Sequence, residues 1–185
     1  MGSGDTAVIL AHSLTSDQES WHSFAERLSE EQYVVLTFNF RGYPPSGGAK
    51  EVTKLHLDLK AGVELLESFG HNHIYLIGAG IGGTVAIQVA AFREVAGVVT
   101  ISAPTHIGSL TVLEEVSDVS EPKLFITSED DKASRESAGQ FYQESYSPRL
   151  LEVFRGQEHG TDMVTGEFGE HVQASILNFL EGYLP

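Results

Sequence analysis

A chain of 185 residues, 41% hydrophobic and 20% charged, has the size and composition of one ordinary globular domain, which we predict over residues 1–185. Its net charge of −15, from 26 acidic and 11 basic residues, repels phosphate backbones and anionic lipids, so neither nucleic acid nor membrane is expected as a partner. The lack of cysteine excludes disulfides, thiolate nucleophiles and thiolate metal sites. No secretory-type segment precedes the first apolar run, which favours a cytoplasmic location.

Short apolar runs that predict β-strands alternate along the chain with amphipathic stretches that predict helices. The predicted strands are residues 7–10, 33–38, 74–77, 95–101, 123–126 and 150–154. Apolar residues at helical spacing predict helices around residues 21–28, 55–66, 85–92, 134–144 and 171–180. This alternation is typical of an α/β fold, in which an open, mostly parallel, six-stranded sheet lies between two helix layers in a three-layer α/β/α sandwich.

Two stretches between these elements are rich in turn-forming residues. Residues 102–122 form the least structured span and leave room for a small lid but not for a large cap, so an open pocket is expected. Residues 41–48 predict a surface loop. In open parallel sheets, ligands bind beyond the carboxyl ends of the strands, so we expect the functional site at that edge.

The turn after the third predicted strand carries the strongest motif. It reads Gly-Ala-Gly-Ile-Gly-Gly from Gly78 and leads directly into a helix. This strand, turn and helix resemble the nucleophile elbow of the α/β-hydrolase family, Gly-x-Ser-x-Gly, with Gly78 and Gly82 in the flanking places. The resemblance implies a small, cap-poor serine esterase, similar to dienelactone hydrolases, in which Gly80 stands where the serine nucleophile is expected.

The ends of the first two predicted strands carry further marks of that resemblance. His12, Ser13 and Leu14 are similar to the family's His-Gly oxyanion loop, which implies that the backbone N–H groups of Leu14 and Ile81 form the oxyanion hole. His12 is expected to organise the hydrogen bonds of that loop. Arg41 lies in a segment that looks like the family's Arg-Gly loop, which supports the site.

The last two predicted strands end where the family places its acid and its histidine. Asp130 and Asp131 follow the fifth strand, and the spacing favours Asp131 as the residue that orients His159, which follows the sixth. The order of nucleophile, acid and histidine is the one that this fold requires. The resemblance implies that the acid fixes the imidazole tautomer while the imidazole transfers protons.

These features predict an esterase-type hydrolase of small ester-like molecules that is severely impaired because Gly80 has no hydroxyl. The chain is either an inactivated variant or a natural pseudoenzyme, and a serine at position 80 should restore turnover. One alternative is a binding module that holds a small ligand without covalent chemistry. Another is slow hydrolysis by a water that His159 activates. Ser102 is the first place to look for a displaced nucleophile. Neither cofactor nor metal is expected, and the oligomeric state stays open.

The same turn also fits the dinucleotide fingerprint Gly-x-Gly-x-x-Gly through Gly78, Gly80 and Gly83. A Rossmann-like protein would place an acidic residue about 20 positions further on, at the end of the next strand. Residues 100–104 contain no carboxylate, and the turn follows the third strand rather than the first. Both observations favour the hydrolase interpretation.

Overall fold

The computed structural model describes residues 5–183, so the predicted domain extends slightly beyond it at both ends. It contains the strands β1 (Thr6–Ala11), β2 (Val34–Thr37), β3 (His73–Ala79), β4 (Gly97–Ile101), β5 (His106–Ile107), β6 (Leu110–Thr111), β7 (Lys123–Ser128) and β8 (Arg149–Phe154). Six of them form one parallel sheet in the order β2-β1-β3-β4-β7-β8, and β5 and β6 pair as a separate antiparallel hairpin.

Helices cover both faces of this sheet. They are α1 (His22–Glu30), α2 (Leu55–Ser68), α3 (Ile81–Ala90), α4 (Lys132–Glu144), α5 (Asp162–Thr165) and α6 (Gly169–Gly182), with short 3₁₀ turns at Gln18–Trp21, Val52–Lys54 and Glu115–Asp118. One apolar core packs α2, α3 and α4 against one face, and a second packs α1 and α6 against the other. The predicted six-stranded sandwich is therefore confirmed.

One expectation from the sequence was wrong. The apolar spacing predicted that the third helix extends to residue 92, but α3 ends at Ala90 and Phe92 is 73% exposed. The span 102–122, predicted to be the least structured, contains only the short β5–β6 hairpin and the 3₁₀ turn Glu115–Asp118 as regular structure. Three valines of this span are buried in the core: Val112, Val116 and Val119.

The strand order determines which loops meet at the carboxyl edge. In the sheet, β1 lies between β2 on one side and β3 on the other. The chain therefore crosses β1 when it passes from β2 to β3. Ala11, the last residue of β1, pairs in register with Gly78 near the end of β3. The loops that follow these two strands therefore leave the sheet side by side, as expected at a topological switch point.

Candidate active site

The turn between β3 and α3 has the backbone of a nucleophile elbow. Gly80 precedes the first residue of α3 with φ +52° and ψ −122°, a conformation that L-residues other than glycine rarely adopt. A Cβ at Gly78 would lie 2.2 Å from the carbonyl carbon of Gly82, and one at Gly82 would lie 2.2 Å from the carbonyl oxygen of Ala11. Both flanking glycines are therefore required for strand and helix to approach this closely.

Asp131 and His159 meet beyond the ends of β7 and β8. The Oδ2 atom of Asp131 lies 2.6 Å from Nδ1 of His159, whereas Asp130 is exposed. The other carboxylate oxygen of Asp131 accepts a hydrogen bond from the backbone N–H of Ser134 at 3.2 Å and so caps α4. Ser134 Oγ also lies 3.3 Å from Nδ1 of His159. These contacts fix both the acid and the ring.

Opposing effects act on the pKa of Asp131. Burial raises it, but the hydrogen bonds from His159 and Ser134 together outweigh burial, so the pKa lies below its ordinary value of 3.8. The carboxylate is therefore the form that the folded protein stabilises. Its contribution to stability is present above the ordinary carboxyl pKa and is lost as the pH falls through the lowered value.

Asp131→Asn should lower the free energy of unfolding by about 1 kcal/mol at pH 7, because the amide still caps α4 but loses the charged bond to a half-exposed imidazole. Urea denaturation at several pH values measures this difference. It should shrink towards zero as the pH falls below the ordinary carboxyl value. Asp130→Asn is the matched control, and an equal loss in that variant would contradict the assignment.

The other ring nitrogen of His159 faces the elbow. A Cβ built on Gly80 would lie 3.9 Å from Nε2 of His159. Among residues 5–183, Nε2 makes no hydrogen bond. A hydroxyl carried on that Cβ would come within hydrogen-bonding reach of the ring. The structure thus brings Gly80, Asp131 and His159 together as an acid and an imidazole directed at a position without a side chain.

The proposed oxyanion loop follows β1. The backbone N–H groups of Leu14 and of Ile81, the first residue of α3, donate no hydrogen bond to any described residue. Tyr43 donates its hydroxyl proton to the carbonyl of Leu14 at 2.9 Å, which holds the peptide beyond it in place. Two free backbone donors, of which Ile81 lies at a helix N-terminus, suit an oxygen that gains negative charge.

His12 lies beneath this loop and is fully buried. Its Nε2 accepts from the backbone N–H of Phe40 at 3.0 Å, so Nδ1 carries the proton and donates to the carbonyl of Ser13 at 2.7 Å. Burial lowers the pKa of His12, which keeps the ring in the neutral form that this pairing needs. His12 therefore joins the oxyanion loop to the loop that follows β2.

Arg41 supports that second loop from outside the cavity. Its guanidinium binds both carboxylate oxygens of Asp58, with Nη2 at 2.7 Å from Oδ1, and its backbone N–H donates to Oδ2 at 2.9 Å. Asp58 lies in the first turn of α2, so the pair ties the loop to a helix. The role of Arg41 is therefore to position the loop, and its guanidinium is occupied.

A cavity of about 310 Å³ opens above these residues and is lined by largely apolar surface. Gly80, His159 and Leu14 line one part of it, and Ile107 of the hairpin and Pro104 line another. This volume lies at the lower end of the range for small-molecule sites. Among residues 5–183, no group of three or more His, Asp or Glu side chains is placed to hold a metal ion.

Several residues of the site carried no signal that sequence reasoning could use. In the sequence, Ser134 is recognisable only as the third residue after an aspartate that can cap a helix. Tyr43 is recognisable only as an aromatic residue in a loop. Ser128 donates to the carbonyl of Glu158 at 2.5 Å and thereby fixes the loop before His159. Such long-range contacts depend on the folded chain.

Ser102, at the end of β4, shares the positive φ of the elbow at +52°. Its side chain is nevertheless fully buried, and its hydroxyl donates to the sulfur of Met163 at 3.3 Å. The strained backbone thus directs this hydroxyl into the core. Ser102 is part of the cavity lining, but its hydroxyl is engaged by Met163 and has no exposed surface.

A sequence model of the α/β hydrolase fold matches residues 6–118. A carboxylesterase of Bacillus subtilis (strain 168) is 28% identical over 116 residues, which are 60% of this chain and 46% of that protein. The chain thus spans less than half the length of this relative.

The structural neighbours agree with the sequence match. A monoacylglycerol lipase of Paleococcus ferrophilus superposes with a TM-score of 0.87 at 16% identity and covers 100% of this chain and 97% of its own. A Pyrococcus furiosus esterase superposes with a TM-score of 0.84 at 24% identity over 97% and 84% of the two chains. At such identities, the likeness shows the shared fold.

The parallel sheet with helices on both faces and the sequence match together define an α/β hydrolase fold without a large cap. The sequence match covers more than half of the chain, and the chain therefore belongs to the α/β hydrolase fold family. This family assignment replaces the dinucleotide-binding interpretation of Gly78, Gly80 and Gly83. In the part of the chain that the structure describes, no helix is both long and apolar enough to cross a membrane.

Proposed function

We propose that this chain is a hydrolase of small carboxylic esters in which position 80 supplies no nucleophile, so that its turnover is far below that of an intact Ser-His-Asp site. The observation that carries the proposal is the contact of Asp131 with His159 at 2.6 Å, with the free Nε2 facing Gly80. An imidazole that is backed by a carboxylate serves as a general base. The free N–H groups of Leu14 and Ile81 provide the complementary stabilisation of an oxyanion.

The substrate class follows from the cavity. Its volume and mostly apolar walls suit a short acyl or alkyl group, while the two backbone donors suit a single carbonyl oxygen. The net charge of −15 disfavours strongly anionic substrates in free solution. We further infer a single domain that acts in the cytoplasm on small molecules, without cofactor or metal. Its loss of the elbow serine is either natural or introduced.

His159→Ala should lower the hydrolysis of short p-nitrophenyl esters at least about tenfold, because general-base catalysis typically contributes 10²–10⁴-fold. The measurement compares initial rates of both proteins after subtraction of the buffer rate, with circular dichroism to verify folding. His22→Ala is the control, since His22 is exposed and pairs only with Glu26 of its own helix. Equal rates for parent and His159→Ala would overturn the proposal.

A second candidate function is non-covalent binding of a small ester or carboxylate in the same cavity. The missing side chain at Gly80 and the unused N–H groups of Leu14 and Ile81 favour it, since both leave room and donors for a bound oxygen. A ligand at a hundred times its dissociation constant stabilises a protein by about 2.7 kcal/mol. Thermal denaturation with short-chain carboxylates distinguishes this candidate when hydrolysis is absent.

A further inference from the structure

Ser13 and Gly80 are exchanged relative to the family's two motifs. In the oxyanion loop, Ser13 stands where the glycine of the His-Gly motif is expected. At the elbow, Gly80 stands where serine is expected. In space, the two positions face each other, since Cβ of Ser13 lies only 3.0 Å from the place that a Cβ of residue 80 would occupy. The hydroxymethyl group missing from one wall of the site is therefore present on the opposite wall.

The surroundings of Ser13 suit a reactive hydroxyl. Ser13 lines the same cavity as Gly80 and His159. Its Oγ lies 3.1 Å from the hydroxyls of both Thr15 and Ser16, which are neutral groups. A rotation about the Cα–Cβ bond of Ser13 breaks these hydrogen bonds and lets its hydroxyl bind another partner. Nε2 of His159, which makes no hydrogen bond among residues 5–183, lies 3.9 Å from the same missing Cβ of residue 80 that Cβ of Ser13 approaches.

The oxyanion donors also fit an exchanged nucleophile. In this fold, one donor is the N–H of the residue that follows the nucleophile, and the other comes from the facing loop. Leu14 follows Ser13 just as Ile81 follows Gly80. Moving the nucleophile from one wall to the other therefore exchanges the roles of the two donors but leaves the pair unchanged.

Other hydroxyls near the histidine are less suitable. Ser134 faces Nδ1, the ring nitrogen that Asp131 already occupies. Ser102 is fully buried and donates to the sulfur of Met163. Among the serines that line the cavity, Ser13 is the one whose side chain adjoins the position vacated at residue 80.

We propose that Ser13 is the nucleophile of the residual ester hydrolysis at this site, an inference that rests on the proposed function. The Ser13 hydroxyl gives its proton to Nε2 of His159 as its oxygen bonds to the carbonyl carbon of the ester. The C–O bond to the alcohol then breaks, and the leaving oxygen takes that proton. Water attacks the acyl-Ser13 ester in the same manner, releases the acid and regenerates the serine.

The test is covalent labelling of the full chain with a fluorophosphonate, followed by peptide mass spectrometry. We expect a single adduct on Ser13 that disappears in Ser13→Ala and His159→Ala and persists in Ser68→Ala, an exposed serine at the end of α2. Ser13→Ala should also lower the residual hydrolysis of p-nitrophenyl esters at least about tenfold. An adduct on another serine, or unchanged hydrolysis in Ser13→Ala, would refute the assignment.

A second variant keeps the proposal testable if Ser13→Ala does not fold. Because the chain contains no cysteine, Ser13→Cys carries a unique thiol. Its alkylation by iodoacetamide at neutral pH should slow about tenfold when His159→Ala is added, since the imidazole no longer takes the thiol proton. An unchanged rate would overturn the proposed contact between the two residues.

The two proposals fail in different ways. If His159→Ala abolishes hydrolysis while Ser13→Ala leaves it intact, the esterase function stands and the nucleophile is a water or another group. If the parent hydrolyses no faster than His159→Ala, the esterase function itself is refuted. Each pattern of rates thus supports or refutes one proposal specifically.

Discussion

The double variant Ser13→Gly, Gly80→Ser should hydrolyse short acyl esters at least about a hundredfold faster than the parent chain. It places a serine at an elbow that already has the required backbone, opposite Nε2 of His159. It also removes the side chain that the new Cβ would otherwise meet at 3.0 Å. Loss of a triad serine costs about 10⁶-fold in a model protease, so even partial restoration exceeds this threshold.

The single variant Gly80→Ser should gain less than the double variant. Its serine crowds Cβ of Ser13, a contact that the double variant removes, whereas the strain of a serine at φ near +52°, about 1–3 kcal/mol, is common to both variants. Ser13→Gly alone should show no gain. Initial rates of all four proteins form a double-mutant cycle, in which the coupling between the two positions is measured directly. Equal rates for Gly80→Ser and the double variant would show that the crowding is unimportant.

Asp131→Asn in the double-variant background provides a further control. It should lose most of the restored turnover, because the carboxylate that orients and stabilises the imidazole is removed. If the double variant gains no activity while circular dichroism shows it folded, the hydrolase interpretation of this elbow is wrong. A gain that persists in Asp131→Asn would mean that the acid and imidazole pair has no catalytic role.

The sheet could be predicted from the sequence because its inner strands β1, β3, β4 and β7 are buried on both faces. Such strands read as short continuous apolar runs, and turn-forming residues separate them from helical periodicity. The β5–β6 hairpin gave no such signal, since each strand has two residues and no alternation can be recognised over that length. The predicted third helix extended to residue 92 because the spacing of Phe92 continues that of α3, although the helix ends before it.

The site could be predicted only at the level of strand ends. The rule that parallel strands end at one edge places residues 12–14, 78–82, 131 and 159 at the same rim. It does not state which side chains face each other. The contact between Ser13 and position 80, and the pairing of Arg41 with Asp58, depend on loop backbones that no periodic pattern determines. Motif positions were therefore predictable, whereas the exchange of Ser13 and Gly80 became meaningful only in three dimensions.

Gly82→Ala should strongly destabilise the protein, because a methyl group at this position has no space in the packing of α3 against β1. Its Cβ would lie 2.2 Å from the carbonyl oxygen of Ala11, a residue that the sheet holds in place, and 2.8 Å from that of His12, the next residue. Overpacking against side chains costs about 1–3 kcal/mol, and backbone atoms cannot rotate away. We therefore expect a loss of more than about 3 kcal/mol in urea denaturation, or failure to accumulate as folded protein.

Gly139→Ala is the matched control for this substitution. Gly139 lies inside α4, and a Cβ there meets nothing within 4 Å. Alanine in place of a glycine in a helix interior stabilises by roughly 0.5–1 kcal/mol where the added methyl group meets no neighbour, so the two variants should shift the urea midpoint in opposite directions. If Gly82→Ala unfolds at the same midpoint as the parent, β1 and α3 do not approach as closely as described. The separation of the oxyanion loop from the elbow, on which every contact between Ser13 and residue 80 depends, would then be larger as well.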